Sequence, residues 1–280
     1  MEIFKHKTDL RKKIETLNPV SSIGFVPTMG ALHRGHLSLV DCSIKQNDIT
    51  VVSIFVNPTQ FNEESDFKNY PRTLGTDLKL LEKVKCDIVF TPSESEMYDK
   101  PDSHKYDFGH LDKVMEGKYR PGHFLGVARI VTRLFEAVTP HKAYFGMKDF
   151  QQLVIIKKIT GDLKLPVEII PCPIVREEDG LAMSSRNRLL SADQRRHAPF
   201  IYQALSEAKN SSKKYTVSEI KKIVVTKLNN DPCLSVEYFE IVDSVNLFPV
   251  KSWDEPSVKI GCIAVRAGNV RLIDNIIFNS

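Results

Sequence analysis

Ser22-Ile23-Gly24-Phe25-Val26-Pro27-Thr28-Met29-Gly30-Ala31-Leu32-His33-Arg34-Gly35-His36 is the stretch on which the fold turns. Its first part, Ser22 to Val26, is short and apolar, the composition of a buried strand, and Pro27 is expected to stop it. A loop bearing Gly30 and Gly35 follows, and Leu37, Leu39, Val40 and Ile44 then recur at helical spacing. The order is strand, loop, helix.

The same order extends in both directions. Thr8 to Leu17 reads as a helix with Asp9 near its positive end, and Thr50 to Val56 is apolar without alternation, as in a strand covered on both faces. Leu74, Leu78, Leu81 and Val84 mark a helix before the strand Asp87 to Phe90. Gly126 to Val138 is a helix with Val127, Ile130, Val131, Leu134 and Phe135 inward, followed by the strand Ala143 to Phe145 and a helix beginning near Asp149. This alternation predicts the α/β class, a Rossmann-like doubly wound parallel sheet with its loops gathered at the carboxyl ends of the strands. Near Ile174 the pattern changes to helices between Ala192 and Leu228 and then extended runs Ser235 to Val242, Val258 to Val265 and Val270 to Phe278. We therefore expect a first domain over residues 1–174 and a smaller C-terminal α+β domain over 175–280.

Composition narrows the function classes. Hydrophobic residues make up 42% and charged residues 26%, which supports a continuous core rather than a disordered chain. A net charge of +4, from 39 basic and 35 acidic residues, is too small to imply a nucleic-acid surface. The five cysteines are odd in number, widely spaced and never in a CxxC pair, so they read as reduced core thiols. The charged amino terminus has no apolar run behind it, and no stretch approaches the length of a membrane span, which predicts a cytoplasmic protein that engages no membrane.

His33 and His36 are the most informative residues. Residues three apart on an incoming helical turn face one way, and free backbone N–H groups at a helix start attract anions, so both imidazoles are expected to approach a phosphate chain. Gly30 and Gly35 permit close backbone approach. The bland alternatives are a hydrogen-bonded core histidine or a helix cap. Zinc is set aside here because no third histidine or cysteine lies near this pair at ligand spacing.

The run Pro27 to His36 resembles the HxGH loop of the adenylate-forming nucleotidyltransferase superfamily, in the version found in pantothenate synthetases. Four further segments resemble the same family in the same order: Ile54-Phe55-Val56-Asn57-Pro58-Thr59-Gln60-Phe61, Arg120-Pro121-Gly122-His123-Phe124, Phe145-Gly146-Met147-Lys148-Asp149-Phe150-Gln151-Gln152 and Met183-Ser184-Ser185-Arg186-Asn187. The resemblance thus spans nearly the whole chain. It implies an ATP-dependent ligation of pantoate to β-alanine through a pantoyl adenylate, with Mg²⁺, in a homodimer. It implies nucleotide contacts from Pro27, Thr28, Met29, Gly30, Ala31, Leu32, His33, Arg34, Gly35 and His36, from Gly146, Met147, Lys148 and Asp149, from Val175, and from Met183, Ser184, Ser185 and Arg186. His33, His36, Lys148 and Arg186 would stabilise phosphate charge, and residues 175–280 would form a lid over the ATP- and pantoate-binding domain.

The side chains suit those roles. Gln60 and Gln152 each offer an amide donor and acceptor matched to a hydroxy acid, and the resemblance implies that both hold pantoate. Lys148 brings a mobile point cation, Asp149 can cap the helix that follows, and the Met183-to-Arg186 turn clusters two hydroxyls with a guanidinium fork. Two positions depart from the family pattern: Arg34 stands where an acidic residue is usual between the histidines, and Met147 where glutamate usually precedes the lysine. Both shift the local charge towards positive.

Overall fold

The computed structural model describes residues 1–62 and 64–278. In chain order the elements are β1 (Glu2–Phe4), α1 (Lys7–Glu15), β2 (Ile23–Thr28), α2 (Arg34–Gln46), β3 (Ile49–Ile54), α3 (Glu64–Asn69), α4 (Leu74–Lys83), β4 (Ile88–Phe90), α5 (Glu94–Met97), α6 (Met115–Tyr119), α7 (His123–Val138), β5 (Lys142–Gly146), α8 (Phe150–Asp162), β6 (Glu168–Cys172), α9 (Ala192–His197), α10 (Phe200–Ser211), α11 (Val217–Asn229), β7 (Leu234–Asp243), β8 (Lys259–Ala267) and β9 (Val270–Phe278). Short 3-10 turns precede α3, α8 and α9, at Pro58–Gln60, Met147–Asp149 and Ser185–Leu189.

The strands form a six-stranded parallel sheet in the order β1-β4-β3-β2-β5-β6 and a three-stranded antiparallel sheet in the order β7-β8-β9. The chain groups into two compact units, one of residues 1–147 and 155–173 and the other of residues 148–154 and 174–280. In the first unit Phe25, Val26, Val51, Val52, Val89 and Phe90 are fully buried, which accounts for the unalternating apolar runs of its strands. In the second, α10 and α11 cover the antiparallel sheet through Ile201, Leu205, Ile220 and Val224 against Phe239, Ile241, Ile263 and Val265.

Two sequence expectations need correction, and one strand went unread. β2 does not stop at Pro27 but continues to Thr28, in register with Ser53 and Ile54 of β3. Thr28 O accepts from Phe55 N on the β3 side, whereas Ile23 O accepts from His141 N on the β5 side. Backbone groups alternate sides along a strand, so Pro27 shares the β5-facing side of Ile23 and Phe25, and its missing N–H falls where the β2–β5 pairing has ended, after Phe25. The charged amino terminus contributes β1, which pairs with β4 at the sheet edge, a contact that local composition does not signal. Of the five thiols, Cys86, Cys172 and Cys262 are buried, and burial pushes Cys86 and Cys172 up to about 12, but Cys42 and Cys233 are only partly covered.

Helix α7 begins three residues before the expected Gly126, because Gly122 at φ 81° admits the left-handed turn that starts it. Gly126 itself lies against the Pro58–Gln60 turn, where a Cβ would sit 2.2 Å from Thr59 O. A Gly126→Ala change gains up to ~1 kcal/mol of helix propensity but forces that carbonyl to move, at a cost of about 1–3 kcal/mol. The net expected outcome is destabilisation in urea unfolding. A more stable variant would contradict the close packing of α7 on this turn.

Candidate active site

Strands β2 and β5 are neighbours, and the chain leaves them in opposite directions along the sheet, to β3 and β4 on one side and β6 on the other. The crevice at their carboxyl ends is the topological switch point, where open α/β sheets bind ligands. The loop after β2 and Gly146-Met147 at the end of β5 border it. A cavity of about 290 Å³ also opens in this unit beside Met29 and Gly30, lined further by Ile54, Phe55, Thr73 and Asp77.

The loop is held from within. Gly30 and Ala31 both have left-handed backbone, at φ 81° and 50°, and the N–H groups of Ala31 and Leu32 converge on one point. The anion at that point is the protein's own Asp77, 1% exposed, which accepts from Ala31 N at 3.0 Å through Oδ2 and from Leu32 N at 2.8 Å through Oδ1. Thr73 Oγ1 donates to the same carboxylate at 3.2 Å, and Gly30 N donates to Thr28 Oγ1 at 3.2 Å. Asp77 carries no motif signature, and its role was not read from the sequence.

The two histidines cap α2 reciprocally. Gly35 N donates to His33 Nδ1 at 3.1 Å and His33 N donates to His36 Nδ1 at 3.3 Å, while His36 N and Leu37 N donate to His33 O. The expectation of free amides at this helix start is therefore corrected for His33, Gly35, His36 and Leu37, whose N–H groups are already accepted. The helix-cap reading and the chemical one coexist, and the cap adds a constraint. Because each Nδ1 accepts a hydrogen bond, the proton of each neutral imidazole resides on Nε2, giving two N–H donors of fixed tautomer. The rings lie 4.0 Å apart between centroids, so the donors belong to one paired surface. Arg34, at the first helical position, is exposed.

Gln60 ends the 3-10 turn after β3 and is half-buried. Its Oε1 accepts from Asn57 Nδ2 at 3.2 Å and its Nε2 contacts Met29 Sδ, tying it to the β2 loop. Its carbonyl accepts from His123 Nδ1 at 2.8 Å and Arg120 Nη2 at 3.4 Å. With Nδ1–H so used, His123 Nε2 is the acceptor for Arg120 Nη1 at 3.2 Å. The Arg120-to-His123 segment thus orients Gln60. Asn57, 1% exposed, is the hub: Oδ1 accepts from Tyr98 OH at 2.6 Å and Thr59 Oγ1 at 3.1 Å, and Nδ2 also donates to Gly126 O at 3.1 Å.

The remaining motif residues fall in the second unit. Lys148 Nζ is 3.9 Å from the Asp149 carboxylate, and Lys148 O accepts from Asn275 Nδ2 at 3.1 Å. Gln152 is half-buried in α8. Residues 175–183 form a small hairpin, with Met183 N donating to Val175 O and Arg176 bridging Ala182, so Val175 and the Met183–Arg186 turn are placed together. Ser184 caps the Ser185–Leu189 turn by accepting from Arg186 N at 3.2 Å. Arg176 anchors the hairpin through a two-pronged bond to buried Asp274, at 2.7 and 3.0 Å, and stacks 3.7 Å over Tyr202. Burial pushes Asp274 up from its ordinary range while Arg176 pulls the other way. Asn275, beside Asp274 in β9, therefore links this anchor to the Lys148 backbone.

For a metal ion, the described residues bring no group of three His, Cys, Asp or Glu ligand atoms together around the β2 loop. Asp77, the nearest buried carboxylate there, is spent on the loop amides.

Comparison with known proteins finds relatives along nearly the whole chain. The family model described as pantoate-beta-alanine ligase matches residues 2–277. A pantothenate synthetase of Bacteroides fragilis strain YCH46 is 51% identical over 277 residues, covering 99% of this chain and 98% of that protein. The crystal structure of pantothenate synthetase from Thermus thermophilus superposes with a TM-score of 0.93 at 40% identity, with 100% of each chain covered. The pantoate-beta-alanine ligase of Francisella tularensis, solved with beta-gamma ATP and beta-alanine, superposes with a TM-score of 0.84 at 33% identity over 100% of this chain and 98% of that one.

Proposed function

The chain belongs to the pantoate-beta-alanine ligase family, and from that premise we infer that it joins pantoate to β-alanine at the expense of ATP through a pantoyl adenylate. The observation that carries the reading at atomic level is the reciprocal histidine cap, which presents two Nε2–H donors of fixed tautomer at the sheet's switch point. Such donors stabilise charge that develops on phosphate oxygens without reorganising during the reaction.

In the first step a pantoate carboxylate oxygen attacks the α-phosphorus of ATP. The bond from that phosphorus to the bridging oxygen breaks, and its electrons leave with pyrophosphate. His33 and His36 donate to the phosphate oxygens, and Lys148 and Arg186 supply further positive charge. Gln60, pinned by Asn57, Arg120 and His123, orients the acid with Gln152. In the second step the β-alanine amine attacks the mixed anhydride carbonyl, the bond to AMP breaks and the amide forms. The nucleotide contacts are those of residues 27–36, 146–149, 175 and 183–186. Mg²⁺ enters with ATP as part of the substrate complex.

We assign residues 1–174 to ATP and pantoate binding and residues 175–280 to a lid that shields the adenylate from water. We also place the protein in the cytoplasm as a homodimer, the assembly to be read by light scattering. No described helix is long and apolar enough to cross a membrane. The decisive measurement is exchange of labelled pyrophosphate into ATP with pantoate present and β-alanine withheld. Exchange that requires pantoate is expected. A chain that makes pantothenate yet shows no such exchange does not proceed through a free-standing adenylation step.

A further inference from the structure

We propose that Asp193, His197 and Cys233 form a binding site for one zinc-class divalent cation in the second unit. Asp193 and His197 stand four residues apart on α9 and so share one helix face, while Cys233 comes from the turn between α11 and β7. Each contributes one ligand atom, and those atoms all lie within 4.8 Å of one another.

The surrounding bonds orient the set. His197 Nδ1 lies 2.7 Å from Asp231 Oδ2, and a carboxylate accepts only, so Nδ1 carries the proton and Nε2 keeps the lone pair a metal needs. This carboxylate–histidine pairing is the usual outer support of a metal-bound imidazole. Asp231 Oδ1 also accepts from Cys233 N at 2.9 Å, so one side chain steadies two of the ligands. Arg196 Nη2 occupies Asp193 Oδ1 at 2.7 Å, and Asp193 Oδ2 is turned to the sulfur at 3.4 Å.

The donor types select the ion. One thiolate, one imidazole and one carboxylate, with water in the fourth position, suit tetrahedral Zn²⁺. Mg²⁺ prefers an all-oxygen octahedron, so the magnesium that accompanies ATP does not compete for the sulfur. On binding, the Cys233 thiol proton passes to solvent and its S–H···O contact gives way to bonds from sulfur and oxygen to the ion. The ion then clips α9 to the turn before β7 through Asp193 and Cys233, 40 residues apart in the chain, and α9 directly follows the Ser185–Leu189 turn that bears Arg186.

The test uses the full chain, stripped of metal by a chelator and titrated with Co²⁺ and then Zn²⁺ in excess Mg²⁺. One equivalent of Co²⁺ is expected to give a thiolate-to-cobalt charge-transfer band and tetrahedral visible absorption, both erased by Zn²⁺. Cys233→Ser loses the charge-transfer band, Asp231→Asn weakens Zn²⁺ binding on the order of 10- to 100-fold, and Cys42→Ser changes neither. Retained pantothenate synthesis by these variants verifies that they fold. Absence of the band in the unaltered chain, or equal titration of that chain and Cys233→Ser, overturns the proposal.

Discussion

Replacing His36 by alanine is expected to lower pantoate-dependent pyrophosphate exchange on the order of 10²- to 10³-fold, the usual effect of deleting one preorganised donor to a charged transition state. The structure adds a complication, because His36 also accepts from His33 N and so closes the cap of α2. Losing a cap costs about 1 kcal/mol of stability, and activity could fall for that reason alone. Two further substitutions separate the effects. His36→Asn keeps an acceptor near the position of Nδ1 but removes the distal donor, so it is expected to preserve the thermal midpoint and share the loss of exchange. His36→Gln places an amide N–H near the position of Nε2 and is expected to recover part of the rate. If His36→Asn exchanged pyrophosphate at the unaltered rate, the imidazole would be a cap and nothing more.

Asp77→Asn is expected to be nearly as damaging although its carboxylate is committed to the protein backbone. Asp77 accepts from Ala31 N and Leu32 N with its two oxygens, and an asparagine offers only one. The orphaned amide costs about 1–3 kcal/mol. It also releases the left-handed Gly30-Ala31 pair that delivers His33 to its place. A displacement of about 1 Å in a positioning loop is enough to cost on the order of 10²-fold in rate. We therefore expect the exchange rate to fall by that factor, with far-ultraviolet circular dichroism unchanged and a lower urea midpoint. An Asp77→Asn protein with unaltered exchange would show that the loop reaches its working shape without this anchor.

The contrast between His36 and Asp77 shows why one residue was readable and the other was not. His33, His36 and their glycines lie within a few positions of one another at a strand-to-helix junction, so local spacing announces both the element and the chemistry proposed for it. Asp77 lies 46 residues from Ala31 and, read locally, is one acid in the first turn of α4. The same holds for His123, which meets Gln60 only because α7 packs on the turn after β3. It holds again for the hairpin of residues 175–183, whose anchor Asp274 is 98 residues from Arg176.

Periodicity and punctuation along the chain were sufficient for the parallel α/β sheet, the smaller α+β region and the strand-to-helix loop after β2, since those follow from each segment's own pattern of burial. Packing alone decided that Pro27 lies inside a strand, that the charged terminus supplies an edge strand, and that an internal carboxylate rather than a ligand fills the concavity of the β2 loop. It also decided the tautomers of His33 and His36 and brought Cys233 to His197. The physical reason is common to all of these: a hydrogen bond is set by where its partner arrives in space, and partners dozens of residues away leave no trace in the spacing of neighbours.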